Sequence, residues 1–114
     1  MPRDPRAYVW DARRAVALVV EFVAGRSWAH YEADVLLRSA VERQFEIVGE
    51  ALSQLARHAP DLAAGVPDLP RIVAFRNLLI HGYAAVDDRL AWEAATERAA
   101  PLLVVLDNLL EAGS

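Results

Sequence analysis

Four residues in the stretch "RNLLIHGY" have types and spacing that could do chemistry together: Arg76, Asn77, His81 and Tyr83. Histidine titrates near neutrality, so His81 could take a proton from a hydroxyl or give one to a leaving oxygen. Arginine could hold two phosphate oxygens and stabilise the charge that builds on phosphorus. Asn77 could orient either group. RNA carries its own nucleophile, the 2′-hydroxyl, and needs no metal when a base removes that proton. The set therefore suits phosphodiester chemistry on RNA. A histidine at a helix C-terminus is also electrostatically favourable with no catalysis at all, so the residue types alone leave both readings open.

The helix that carries them decides how they meet. Five steps of ~100° leave Arg76 and His81 about 140° apart, whereas Asn77 and His81 share a face. The arginine and histidine converge if the helix loosens or if His81 lies at its frayed end. Gly82 points to the second option, because glycine is the usual residue where a helix stops. Tyr83 would then stand just beyond, on the loop "GYAAVDD".

Periodicity is helical almost throughout. Asp4 followed by Pro5 reads as an N-cap and first helical position, opening a helix from about Pro5 to Ala24 with Tyr8, Ala12, Val16, Val19 and Val23 on one stripe. Gly25 is its expected stop. A second helix is expected from about Tyr31, after "GRSWAH", to about His58, with Leu37, Val41, Phe45, Val48, Leu52 and Leu55 inward. "APDLAAGVPDLP" holds three prolines and a glycine in twelve residues and reads as a loop. A third helix runs from near Pro70 to near Gly82. The fourth starts with Asp87 or Asp88 as N-cap, with Trp92, Ala95, Ala99, Leu102, Leu106 and Leu109 as its stripe. Pro101 inside that pattern predicts a kink about one turn earlier. Short connections make these four an all-α, up-and-down four-helix bundle, a single domain over residues 1–114. Val20, Phe22 and Ile47 widen the apolar faces beyond what a small monomer buries, which predicts a homodimer.

With 114 residues the chain is one small domain, and 55% hydrophobic residues give it a core. No apolar run is long enough to span a membrane. The start, "MPRDPRAYVWDARR", has no apolar region ahead of a cleavage site, so secretion is not expected. Zero cysteines exclude disulfides and thiolate metal sites and fit a cytoplasmic protein. All twelve basic residues are arginine. A net charge of −4 and pI near 5.3 argue against a general nucleic-acid coat. Binding a polyanion would need a local cationic spot, or a dimer that gathers arginines in one cleft.

Glu42, Glu46 and Glu50 recur every fourth residue and read as a solvated acidic stripe. Alternatively, Glu50 faces inward and pairs with Arg76 or another arginine. Gly49 has no propensity reason to sit in mid-helix, and close approach of another helix would explain it. His30 and His58 read as surface residues near helix ends. Trp10, Trp28 and Trp92 read as core or interface residues. No histidine–carboxylate set has metal-ligand spacing on one helix face, so neither metal nor cofactor is expected.

"RNLLIHGY" resembles the R-x-x-x-x-H-x-Y motif of HepT-type HEPN-domain proteins, the toxin halves of toxin–antitoxin pairs whose antitoxin is a minimal nucleotidyltransferase (MNT). The resemblance extends to "RSAVERQFEIVGEAL" and to "LPRIVAFRNLLIHGY" followed by "VDDRLAWEAA", and covers roughly Tyr8 to Leu110. It implies a homodimeric helical bundle and a metal-independent endoribonuclease, with the two motifs facing a shared cleft. Arg76 and His81 would be the catalytic pair, Asn77 the supporting polar residue, and Tyr83 the hydroxyl onto which the MNT partner transfers AMP to silence the toxin. One departure is Arg71, where the family often has tryptophan; it reads as a solvated first-turn side chain rather than a phosphate contact. The other function class compatible with an acidic chain is a non-catalytic helical module that docks a nucleotidyltransferase.

Overall fold

In the computed structural model of the chain, residues 3–82 and 86–112 are described. They form helices α1 (Pro5–Val23), α2 (Trp28–Ala33), α3 (Val35–His58), α4 (Pro60–Ala63), α5 (Leu69–His81), α6 (Asp88–Glu93) and α7 (Ala99–Ala112), with a π-helical turn at Ala94–Arg98 joining the last two. No strand occurs among the described residues, and the fold class is all-α as the periodicity predicts.

Helix starts follow the chemistry of their caps. The Asp4 carboxylate accepts from the Arg6 N–H at 2.9 Å, with Pro5 behind it, and the Asp87 carboxylate accepts from the Arg89 N–H at 2.9 Å. Gly25 takes the left-handed conformation, φ 72°, directly after α1. The expected second helix is two. Ser27 caps α2 through the His30 N–H at 3.1 Å, and Asp34 leaves helical geometry, φ −109° and ψ 97°, to cap α3 through the Leu37 N–H at 3.1 Å. An aspartate able to satisfy an orphan N–H three residues on breaks a helix that the apolar stripe alone would continue. The Pro-rich connection also differs, since Pro60 opens the single turn of α4.

Before Pro101 the chain adopts the π-helical turn rather than a simple bend. Proline lacks an N–H and its ring clashes with the carbonyl four residues earlier; here the ladder accommodates it by widening just before it. The Thr96 hydroxyl takes the Trp92 carbonyl at 2.8 Å within that turn.

The core is the inward stripes of α1 and α3, with Val16, Val19, Val41, Val48, Leu52 and Leu55 fully buried, met by Ala95, Ala99 and Leu106. Helix α1 packs against α3 on one side and α7 on the other, where Arg13 and Asp107 pair. At one end Trp28, Tyr31 and Trp92 stack in series, with centroids 6.2 and 5.2 Å apart. Of the two places expected for Trp10, core or interface, the core is excluded: it is 55% exposed, with the Arg13 guanidinium 5.7 Å over its ring.

Helix α5 packs on α3 and has no comparable contact with α7. An apolar groove of about 630 Å³ opens between α5 and α7, floored by Phe45 and Val48 and walled by Phe75 and Leu102. The bundle is therefore closed on three sides and open on the fourth.

Gly49 explains the tight fit of α5. A Cβ built there would lie 2.1 Å from Arg76 Cβ and 2.6 Å from its Cγ, so only glycine lets the helices come this close. In a free helix Gly→Ala gains ~1 kcal/mol. Here overpacking costs about 1–3 kcal/mol. Gly49→Ala is expected to lower the urea midpoint despite its higher helix propensity, and a raised midpoint would show that α5 is not held against this position.

Candidate active site

Helix α5 begins at Asp68, a non-glycine residue in the left-handed region with φ 60°, followed by Pro70 in the first turn. Residues 69–81 continue as one helix, so Arg76 lies mid-helix and His81 ends it. The Gly82 N–H closes the last turn onto the Leu78 carbonyl at 2.8 Å. Gly82 has φ −114°, so left-handed backbone is not why glycine sits there. A Cβ would meet Leu78 Cδ1, the free end of a side chain, at 2.9 Å and the Leu78 carbonyl at 3.1 Å, so the space there is tight.

Phe75 fixes the rotation of α5 by packing edge-on against Phe45, centroids 5.4 Å apart. That turns the next residue, Arg76, onto α3. Its Nη2 donates to Glu50 Oε2 at 2.7 Å and its Nη1 to Asn77 Oδ1 at 2.9 Å. The Arg76 Nε is buried without a hydrogen-bond partner among the described residues. Glu50 is half-exposed rather than inward, so solvation and the pairing with Arg76 hold together. Its second oxygen accepts from Gln54 Nε2 at 3.2 Å.

Arg76 lines a groove of about 580 Å³ across α1, α3 and α5. Arg3, Arg14 and Arg43 line it with Arg76, interleaved with Asp11, Glu46 and Glu50, and with Tyr8 and Ile80 at its margins. Arg3 pairs with Asp11 at 2.9 Å and Arg43 with Glu46 at 3.6 Å, while Arg14 has no ion-pair partner among the described residues. The groove collects cations on an acidic chain, most of them neutralised by a neighbour.

His81 is exposed and does not line this groove. An unbroken helix keeps the ~140° offset between it and Arg76, so one chain does not bring the two side chains together in one cavity. Asn77 is exposed and holds the arginine rather than the histidine. Tyr83 lies outside the described residues. Arg71 is exposed at the rim of the apolar groove, on another side of α5 from Arg76. His30 pairs with Asp34 at 3.2 Å, and the exposed His58 stacks on Tyr8 at 5.8 Å. Sequence reasoning missed Arg14, Arg43 and Gln54. The signal was available: Asp11 and Arg14 on α1, and Arg43, Glu46, Glu50 and Gln54 on α3, recur every three or four residues as a polar stripe beside the apolar one.

A family model described as "Ribonuclease HepT-like" matches residues 12–109 of the 114. The chain belongs to the HepT-like ribonuclease family. It is thus a HepT-like HEPN domain. Among relatives it is 31% identical over 97 residues to the candidate RNase MJ1380 of Methanocaldococcus jannaschii, covering 83% of this chain and 86% of that protein. It is 32% identical over 91 residues to the candidate RNase TTE0752 of Caldanaerobacter subterraneus, covering 80% of each. It is 30% identical over 99 residues to the probable ribonuclease HepT of Thermococcus cleftensis, covering 85% of this chain and 87% of the relative. No solved structure is a significant match. No helix among the described residues is long and apolar enough to cross a membrane.

At the N-terminal end of the acidic stripe, burial and then the neighbouring Asp88 carboxylate raise the Glu42 carboxyl above its ordinary range, with Glu46 adding and Arg38 opposing. A carboxyl raised in the folded state stabilises fully below its unfolded value, and that contribution is lost as pH climbs through the folded value. Glu42→Gln is therefore expected to raise the melting temperature at neutral pH, with the gain vanishing once pH falls below the unfolded carboxylate range. Melts at the two pH values check this, and an equal shift at both would contradict it.

Proposed function

We propose that this HepT-like chain is the toxin of a toxin–antitoxin pair, a metal-independent endoribonuclease in which Arg76 and His81 act at the cleft of a homodimer. The family match across residues 12–109, which contains Arg76, Asn77 and His81, carries the proposal. Relatives are named as RNases, and the arginine-lined groove beside Arg76 gives a phosphate backbone somewhere to lie.

In the proposed reaction His81 takes the proton of the 2′-hydroxyl, or supplies one to the leaving 5′-oxygen. The 2′-oxygen attacks phosphorus, the bond to the 5′-oxygen breaks, and a cyclic 2′,3′-phosphate remains. Arg76 stabilises the charge on the phosphoryl oxygens. The separation of Arg76 and His81 on α5 favours a shared cleft, in which each site draws on two copies of the motif. The apolar groove between α5 and α7, together with exposed Trp10, Leu36 and Val104, supplies surface for such an assembly.

Incubation of purified protein with RNA tests the proposal. Cleavage should survive EDTA and yield cyclic phosphate ends. His81→Ala and Arg76→Ala should each lower the rate by about 100-fold or more. Substitution of the exposed His81 should leave the melting temperature unchanged. Arg76→Lys, which keeps the stem packed on α3, should lose the rate with a smaller loss of stability than Arg76→Ala. Cleavage lost in EDTA and restored by a divalent ion would overturn the mechanism. Absence of cleavage would favour the docking module for a nucleotidyltransferase.

The MNT partner, in this proposal, silences the toxin by joining AMP to the Tyr83 hydroxyl. An added nucleotide brings a bulky anion next to the motif and repels the RNA backbone. Tyr83→Phe should keep cleavage and abolish its inhibition by the partner with ATP. Mass spectrometry of co-expressed protein should find AMP on the peptide containing Tyr83, and modified protein that cleaves at the unmodified rate would refute the control.

A further inference from the structure

Arg76 is gripped at both terminal nitrogens by groups from two helices. Glu50 on α3 takes Nη2 at 2.7 Å, and Asn77 on α5 takes Nη1 at 2.9 Å. Glu50 is itself braced, because Gln54 one turn on donates to its other carboxylate oxygen at 3.2 Å. Close approach of α5 brings the arginine within reach, and that approach requires glycine at the residue immediately before Glu50. The sequence "GE" at 49–50 thus does two things at once: it removes a side chain where Arg76 arrives and places a carboxylate at the guanidinium.

Such a carboxylate could block the arginine or aim it. A guanidinium has five N–H donors, and the two contacts engage one each. Three remain; the Nε–H is buried, which leaves one N–H on each terminal nitrogen, so a phosphate can be bound without displacing Glu50. The exposures agree. The Arg76 side chain is 25% exposed and its stem is seated on α3, while Glu50 is 50% exposed and contributes little as a surface ion pair to stability. Aiming also fits the charge. Paired with Glu50, Arg76 contributes direction more than net charge, which serves a transition state whose oxygens must be met at fixed positions.

We propose that Glu50, braced by Gln54, is a positioning residue for the ribonuclease reaction: it fixes the plane and direction in which Arg76 presents its remaining donors to the scissile phosphate. The proposal rests on the ribonuclease function given above. Removal of Glu50 leaves a freer and more cationic Arg76, so the loss falls on the chemical step and not on RNA binding.

Steady-state cleavage by Glu50→Ala, Glu50→Gln and Gln54→Ala is the test. For Glu50→Ala, kcat is expected to fall about 100-fold, the scale of a misplaced catalytic contact. Its KM should stay level or drop, the sign of an interaction made in the transition state. Glu50→Gln keeps an acceptor oxygen for Nη2, and an amide flip of Gln54 restores the brace, so this variant should return most of the lost kcat. Gln54→Ala should lie between. Unchanged or raised kcat/KM in Glu50→Ala would overturn the proposal in favour of a blocking carboxylate. Equal losses in the alanine and glutamine variants would overturn it in favour of charge alone.

A readout without RNA separates this proposal from the ribonuclease function. In ¹⁵N side-chain spectra, assigned by Arg76→Lys, a guanidinium held at both ends should give separate Nη signals that merge in Glu50→Ala. Merged signals in the unmodified chain would reject the positioning role whether or not RNA is cut. Separate signals in a chain that cuts no RNA would reject the ribonuclease function and leave the hold of Glu50 on Arg76 standing.

Discussion

The seat of α5 on α3 at Gly49 is the constraint from which the site follows. Helix axes ordinarily stand apart by the thickness of two layers of side chains. Here one layer is missing at one position, and the Cβ of Arg76 fills the space a second Cβ would take. With the separation fixed, Phe75 meets Phe45 edge-on and sets rotation, and the Arg76 head falls beside Glu50. The deep core of α1 and α3, with α7 across α1, makes α3 a rigid bench for this contact.

An acidic chain that handles a polyanion cannot rely on its overall field. The arginines of the α1–α3–α5 groove are instead interleaved with carboxylates, so the local surface is nearly balanced and, in the proposed ribonuclease, recognition would turn on where donors point. Salt screens the long-range attraction of a basic coat, whereas close charge-assisted hydrogen bonds are screened far less.

The apolar stripe of α3, residues Leu37 to Leu55, was legible because a period of 3.6 leaves few alternatives, and every residue placed inward there is buried. Gly49 was legible as a close approach, since nothing else excuses glycine in mid-helix. The identity of the approaching side chain was not, because it comes from a residue far along the chain. The break at Asp34 was not legible, because no glycine or proline marks it; a carboxylate that caps the Leu37 N–H separates α2 from α3. Pro101 announced a disturbance, but whether the ladder kinks or widens depends on neighbours such as Thr96. Arg76, Asn77 and His81 stand out by type and spacing within one stretch, whereas the groove beside Arg76 is assembled from three helices and appears in no single stretch.

The open side of the bundle has a consequence for motion. Helix α5 buries only Leu79 among its own residues and is fastened along one flank, whereas α3 is enclosed by neighbours. Local opening in proteins follows the elements with the fewest buried apolar contacts. Amide protons of α5 are therefore expected to exchange with solvent sooner than those of α3. Arg76 and His81 thus sit on a helix whose outer flank is open, so a small shift of α5 leaves the core of α1 and α3 undisturbed.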